Sequence, residues 1–309
     1  MWMADSTLWE YRGHPSRFNL SNGNVGQWNI VSLGNDVLNR KESMMNHSAV
    51  QRMPLLFVGH GSPMNAIEDN TYTGNWAGVS RKIPRPKAIL SISAHWYTQG
   101  SRINDALHPK MVYDMYGFPD QLYQVIYDAG GSPELAHQTK GLISYDVQID
   151  NSWGIDHGTW SVLCRMYPEA DIPVFQLSVD GNAGREEHFQ IGREIRALRE
   201  QGVLIMGSGN IVHNLAEVDW GMKGGYPWAE EFDQYIKNKI IQKQYEDVIR
   251  YEQAGESSKI AFRFPDHFYP LLYVLGAADS SDQLSIFNDS CTMGSLSMTS
   301  YLFSQPVDA

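Results

Sequence analysis

The stretch LLFVGHGSP, Leu55–Pro63, joins a short apolar run to a sharp turn. Four apolar residues without polar alternation are typical of a strand buried on both faces, as in a parallel sheet. Two glycines then flank His60, so the backbone can bend while the imidazole projects from the carboxyl end of the strand. Open α/β sheets bind ligands at that edge. The stretch therefore predicts an α/β fold with a mainly parallel central sheet flanked by helices, and it makes His60 a candidate site residue.

A second apolar run repeats this pattern. Lys87–Ala94, KAILSISA, is predicted to be a buried strand that ends at His95. The interval from His60 to His95 is long enough for a crossover helix and a second parallel strand. We therefore expect His60 and His95 at the carboxyl ends of neighbouring parallel strands, where both side chains can reach one point.

Three further histidines follow glycine- or proline-marked breaks: His157 in WGIDHGT, His213 after GVLIMG and His267 in FPDHFYP. One histidine at a turn is as often a hydrogen-bonded structural residue as a functional one. Five at the edge of one buried sheet indicate a shared purpose, and neutral imidazole is the commonest metal ligand. His188 lies instead in an amphipathic helix predicted over 185–200, where we expect it to be exposed.

Composition limits the partners of this chain. The net charge is -11, with 24 Lys+Arg against 35 Asp+Glu, which disfavours nucleic acid and anionic membranes as partners. No apolar run approaches the roughly 18 residues of a membrane span. The two cysteines, Cys164 and Cys291, form no disulfide framework, so a cytoplasmic location is expected. Residues 1–52 lack a sustained apolar period and are predicted to be a poorly ordered extension ahead of one domain, 53–309.

Two other kinds of site find little support in the sequence. No glycine-rich stretch has the pattern of a phosphate-binding loop. A serine hydrolase could use Ser62 or Ser208, but neither lies in a G-x-S-x-G turn. The histidines therefore remain the main candidates for chemistry.

Five blocks, in order, resemble the 4,5-DOPA extradiol dioxygenase family of the class III ring-cleaving superfamily: LLFVGHGSPMNAIEDN, PKAILSISAHWYT, WGIDHGTWSVL, MGSGNIVHNL and FPDHFYPLLYVLGA. The resemblance covers nearly everything from Met53 to Phe303. It implies one catalytic domain over 53–309, with the metal site at the carboxyl ends of the strands.

The resemblance also implies roles for individual residues. His60, His95 and His267 match metal ligands, although the superfamily usually has two histidines and a carboxylate. His213 matches a catalytic histidine that can also bind the metal directly, notably zinc. His157 matches a second active-site histidine, and Asp156 is expected to orient it.

The expected activity is ring cleavage of a DOPA-like catechol next to the diol by O2, giving a muconic semialdehyde. The expected cofactor is one divalent metal ion. Fe(II) is needed for ring cleavage because Zn(II), which can occupy the same site, is redox-silent. Two alternatives stay open: a zinc-dependent hydrolase that uses the same histidines, and a non-enzymatic metal-binding or interaction protein on the same fold.

Overall fold

The computed structural model describes residues 52–306, so the extension predicted over 1–52 lies almost wholly outside the described residues. Within this range the strands are β1 Leu55–Gly59, β2 Ala88–Thr98, β3 Ser101–Ile103, β4 Val147–Ile149, β5 Val174–Asp180, β6 Val203–Gly209, β7 Gln283–Phe287, β8 Cys291–Thr292, β9 Leu296–Ser297 and β10 Ser300–Ser304.

Helices connect most of these strands. They are α1 Thr71–Ser80, α2 Pro133–Leu142, α3 His157–Met166, α4 Arg185–Ile195, α5 Pro227–Ile241, α6 Tyr245–Ile249, α7 Glu256–Ile260 and α8 Tyr269–Ala277. Short 3-10 helices cover Pro63–Ala66, Leu122–Gln124, Arg196–Gln201, Leu215–Glu217, Tyr251–Ala254 and Pro265–His267.

The central sheet has eight strands in the order β4-β3-β5-β2-β6-β1-β10-β7. Its middle four, β5, β2, β6 and β1, are parallel. Antiparallel pairing joins β10 to β1, β7 to β10 and β3 to β5. The predicted α/β fold with a mainly parallel central sheet is thus confirmed, and its carboxyl edge is formed by parallel strands.

Each face of the sheet carries its own hydrophobic core. Along β1, Leu55 and Phe57 pack into the core under α4, α5 and α8, whereas Leu56 and Val58 pack into the core under α1 and α3. All five residues of β1 are buried. A strand with helices on both faces needs apolar side chains on both, which explains the continuous apolar run.

Three expectations from the sequence are wrong in detail. Strands β1 and β2 are not neighbours, because β6 pairs in parallel with both of them. Strand β2 continues past His95 to Thr98, through a register shift between Ile92 and Tyr97. The alternating pattern of Leu284–Phe303 predicts edge strands, but β10 lies inside the sheet between β1 and β7.

His188 is buried rather than exposed. It lies on α4, which packs against α8 so closely that a Cβ on Gly192 would come within 2.2 Å of the Tyr273 carbonyl oxygen. The His188 ring therefore lies between the two helices, with Nδ1 2.9 Å from the Tyr273 hydroxyl. Within residues 52–306, no helix is long and apolar enough to cross a membrane.

Candidate metal centre

All five predicted histidines meet at the carboxyl edge of the sheet. The ring centroid of His95 lies 5.0 Å from that of His60, 4.9 Å from that of His267 and 3.8 Å from that of His157. His213 stacks on His267 with centroids 3.5 Å apart. The structure thus brings together every histidine that the sequence had nominated for the site.

Different elements deliver these side chains to one place. His60 follows β1 directly, and its backbone N–H donates to the Gly209 carbonyl at the end of β6. His95 lies in the irregular part of β2, and a register shift of this kind re-aims a side chain. His267 ends a 3-10 helix that runs beside Gly209, where a Cβ would lie only 2.1 Å from the His267 carbonyl oxygen. Glycine at 209 therefore lets the His267 segment approach the sheet edge.

Hydrogen bonds fix the tautomer of two of the rings. The Ser208 hydroxyl donates to the Gly158 carbonyl and so must accept from Nδ1–H of His60, at 2.9 Å. Nδ1 of His95 lies 3.0 Å from Oδ2 of Asp114, to which it donates. In their neutral forms both rings therefore carry the lone pair on Nε2, the atom that a metal would use.

Those two lone pairs face each other. Nε2 of His60 and Nε2 of His95 are 3.2 Å apart. Two lone pairs at this distance repel unless a proton or a metal ion lies between them. Nitrogens that share a tetrahedral ion at about 2.0–2.1 Å lie about 3.3 Å apart. The pair therefore has the spacing of two ligands of one metal ion.

His267 completes the donor set. Its ring is buried, and neither nitrogen makes a hydrogen bond to any described residue, although Asp266 Oδ2 lies 3.2 Å from Nδ1. One ring nitrogen of each of His60, His95 and His267 lies within 4.8 Å of the others. A buried polar atom without a partner is costly, and a metal ion would satisfy it. The residues present thus fit a divalent metal held by three imidazoles.

His213 has a different relation to this site. Its ring plane is within 4° of parallel to that of His267. A ligated metal lies close to the plane of the imidazole that binds it, and two stacked planes cannot both contain the same ion. In this arrangement His213 therefore stands beside the three-histidine set rather than in it.

Burial sets the proton affinities of the cluster. Burial, followed by repulsion from His95, lowers the pKa of His60 well below its ordinary value. Burial and then His213 do the same to the pKa of His267. For His95 burial also opposes the charge, yet the hydrogen bond to Asp114 raises its pKa. Burial lowers the pKa of His213 to about 4, with Asp266 acting in the opposite direction. His60 and His267 are therefore neutral at pH 7, the form in which imidazole binds metals.

Asp156 does not orient the His157 ring. Its carboxylate accepts from Ser93 Oγ, the Trp153 indole, the Gln176 amide and the Thr159 N–H. The bond from Thr159 makes Asp156 the N-cap of α3. The side chains of the adjacent residues 156 and 157 diverge, so the carboxylate does not reach the His157 ring. The expected contact is wrong, and Asp156 acts on the first turn of the helix instead.

Asp114 makes the contact that was expected of Asp156. Its Oδ1 accepts from both the backbone N–H and Nδ1 of His157, at 3.0 and 2.9 Å. Its Oδ2 accepts from His95, so one carboxylate joins a candidate ligand to a candidate proton carrier. Asp114 lies in the long connection between β3 and α2, and no local motif in the sequence distinguishes it from the other carboxylates of the chain.

Comparison with known proteins gives consistent matches. The family model described as the catalytic LigB subunit of aromatic ring-opening dioxygenase matches residues 54–304. The 4,5-DOPA dioxygenase extradiol of Escherichia coli K12 is 44% identical over 81% of this chain and 94% of its own length. That of Beta vulgaris is 39% identical over 80% of this chain and 95% of its own. The crystal structure of an uncharacterized protein from Escherichia coli K12 superposes with a TM-score of 0.71 at 40% identity, covering 81% of this chain and 99% of that one.

Proposed function

Since the chain belongs to the family of the catalytic LigB subunit of aromatic ring-opening dioxygenases and is an extradiol ring-cleaving dioxygenase, we propose that it cleaves a DOPA-like catechol with Fe(II) held by His60, His95 and His267. DOPA is proposed from the names of the relatives from Escherichia coli and Beta vulgaris. The observation that carries the proposed metal site is the 3.2 Å approach of Nε2 of His60 and Nε2 of His95 beside the buried, unpartnered ring of His267.

The metal would supply Lewis acidity toward the diol and, as Fe(II), the electrons through which dioxygen reacts. Fe(II) rather than Zn(II) is proposed for ring cleavage because zinc is redox-silent, although the same three imidazoles suit either ion. The two substrates of the proposed reaction are a small catechol and O2. The free cysteines Cys164 and Cys291 agree with the cytoplasmic location predicted from the sequence, which stays a prediction.

We propose His157 as the base that removes a proton from the catechol. Asp114 holds Nδ1–H of this ring, so Nε2 has the lone pair that accepts the proton. The carboxylate also stabilises the imidazolium that forms, as it does in other Asp–His pairs. His95 donates to the same carboxylate, so Asp114 fixes the position of the proposed base, His157, relative to the proposed ligand His95.

We propose His213 as a second acid–base group. The stacked arrangement with His267 holds its ring beside the ligands but out of the plane needed for coordination of the same ion. A proton carrier at this position leaves coordination sites free for the diol and for oxygen. This supports an acid–base role for His213 over direct ligation when iron is bound.

The alternatives are not favoured. A zinc hydrolase or a non-enzymatic binding protein would use the same three imidazoles, but several relatives at 34% to 44% identity are named as dioxygenases. The proposed function is tested by anaerobic reconstitution with Fe(II), followed by exposure to air with a series of catechols. Yellow semialdehyde products that depend on both Fe(II) and O2 are expected. Their absence with every catechol would refute the proposed activity.

A further inference from the structure

A cavity of about 260 Å³ opens beside the metal centre. One wall is the segment that follows β6, from His213 to Ala216. The other wall contains Arg263, Phe264 and Asp266. Because His213 stacks on His267 at 3.5 Å, the cavity lies one ring away from the proposed ligands. Complete small-molecule pockets usually measure about 300–1,000 Å³, so this one suits a part of a ligand.

Arg263 gives this cavity its positive charge. The residue is exposed, and its guanidinium carbon lies 5.8 Å from the centroid of the Phe264 ring. Among residues 52–306 its side chain has no hydrogen-bond or ion-pair partner. A guanidinium presents a planar fork of donors that matches a carboxylate in two parallel hydrogen bonds.

Asp266 lies in the same cavity and carries the opposite charge. Within the described chain the two side chains form no ion pair, so they do not neutralise each other. A cavity that keeps a cation and an anion apart is complementary to a ligand that carries both charges. An α-amino acid group is such a ligand.

We propose that Arg263 is a specificity-determining residue that binds the carboxylate on the side arm of the catechol substrate. The ring would then lie toward His213 and the metal, while the arm fills the cavity. This inference rests on the proposed function and adds to it the residue that recognises the arm: Arg263 should favour catechols whose arm carries a carboxylate over neutral or purely cationic ones.

The test compares four catechols in three variants. DOPA carries both charges, 3,4-dihydroxyphenylpropionate only the carboxylate, dopamine only the ammonium, and 4-methylcatechol neither. The variants are Arg263→Gln, which removes the charge, Arg263→Lys, which keeps the charge but loses the fork, and Arg81→Gln as a control. Arg81 is exposed at the end of α1, with no part in the cavity.

In Arg263→Gln, kcat/KM for DOPA and for dihydroxyphenylpropionate should fall roughly tenfold, mainly through KM, as for loss of one charged hydrogen bond at an exposed site. The value for 4-methylcatechol should stay unchanged and that for dopamine should not fall, because the variant removes a charge that repels its ammonium group. Arg263→Lys should lie between the wild type and Arg263→Gln. Anaerobic calorimetry with the Fe(II)-loaded protein should show the same loss in DOPA affinity without turnover. Arg81→Gln should behave as the wild type with all four catechols.

Two outcomes would overturn this role of Arg263. One is an equal loss with 4-methylcatechol and DOPA, which would assign Arg263 to general structure. The other is no loss with either carboxylate substrate. The proposed function is judged separately, by whether the wild type opens any of the four rings, and calorimetry still tests Arg263 if it opens none.

Discussion

Asp114 is the residue where the proposed metal site and the proposed base are joined, so its neutralisation should affect both. In Asp114→Asn the amide oxygen will stay on the side of His157, where two N–H groups point at it, at 2.9 and 3.0 Å. The amide NH2 then faces Nδ1 of His95, which in the wild type donates to Asp114 Oδ2 across 3.0 Å. Two donors cannot share this contact. His95 must move its proton to Nε2 or lose its anchor, and either change spoils the lone pair that the metal needs.

The size of the effect follows from the loss of one partner behind a metal ligand. Such losses cost 10- to 100-fold in metal affinity, which corresponds to about 1.4–2.7 kcal/mol. Turnover at saturating metal should fall as well, because His157 loses the carboxylate that stabilises its protonated form. The fold should persist, since an amide replaces a carboxylate of nearly the same shape.

The assay is competition of the metal-loaded protein with a chromophoric chelator, with Zn(II) and anaerobic Fe(II) titrated separately, together with the melting temperature. Asp105→Asn is the matched control. Asp105 Oδ2 lies 2.9 Å from Nε2 of His137, a ring that is 60% exposed. His137 has no role in the proposed metal site, so this Asp–His contact serves as the comparison. Wild-type metal affinity in Asp114→Asn, or an equal loss in Asp105→Asn, would refute the reasoning.

Three further predictions follow from other parts of the chain. His213→Ala should keep Fe(II) while kcat falls roughly 10²–10⁴-fold, and activity restored in full by added Fe(II) would instead make His213 a ligand. Burial lowers the pKa of His188 from 6.5 to about 4, so the unfolded chain takes up this proton first as the pH falls. The free energy of unfolding should therefore drop by up to about 3 kcal/mol between pH 6.5 and pH 4. Denaturant titration of metal-loaded His188→Gln should show a shallower decline of this free energy with falling pH than the wild type shows; equal declines would contradict this. A chain starting at Met53 should fold and keep its activity, because the described sheet and candidate site lie within residues 55–304; a large fall in melting temperature would count against the predicted boundary.

The histidine cluster could be predicted from the sequence because its signals are local. Each apolar run that ends in a glycine break marks the carboxyl end of a strand, and parallel strands collect those ends at one edge. His60 and His95 therefore met as expected, even though β6 lies between their strands. Strand order depends on pairing between distant segments, and nothing in either run specifies its neighbour.

Asp114 and His188 show where local patterns fail. Asp114 reaches His95 and His157 only because a long connection folds back over the sheet edge, which no periodicity encodes. His188 has the charged neighbours of an exposed helix, but α8 packs against α4 and covers it. The orienting role expected of Asp156 came from the family resemblance, and adjacency in sequence is what keeps the side chains of Asp156 and His157 apart.

The activity itself is tested most directly by mass spectrometry of the product formed under ¹⁸O2. With Fe(II)-loaded protein and DOPA, the proposed activity predicts a ring-opened semialdehyde in which each molecule contains both labelled oxygen atoms. A product that carries oxygen from water instead, or that forms in the absence of O2, would contradict it.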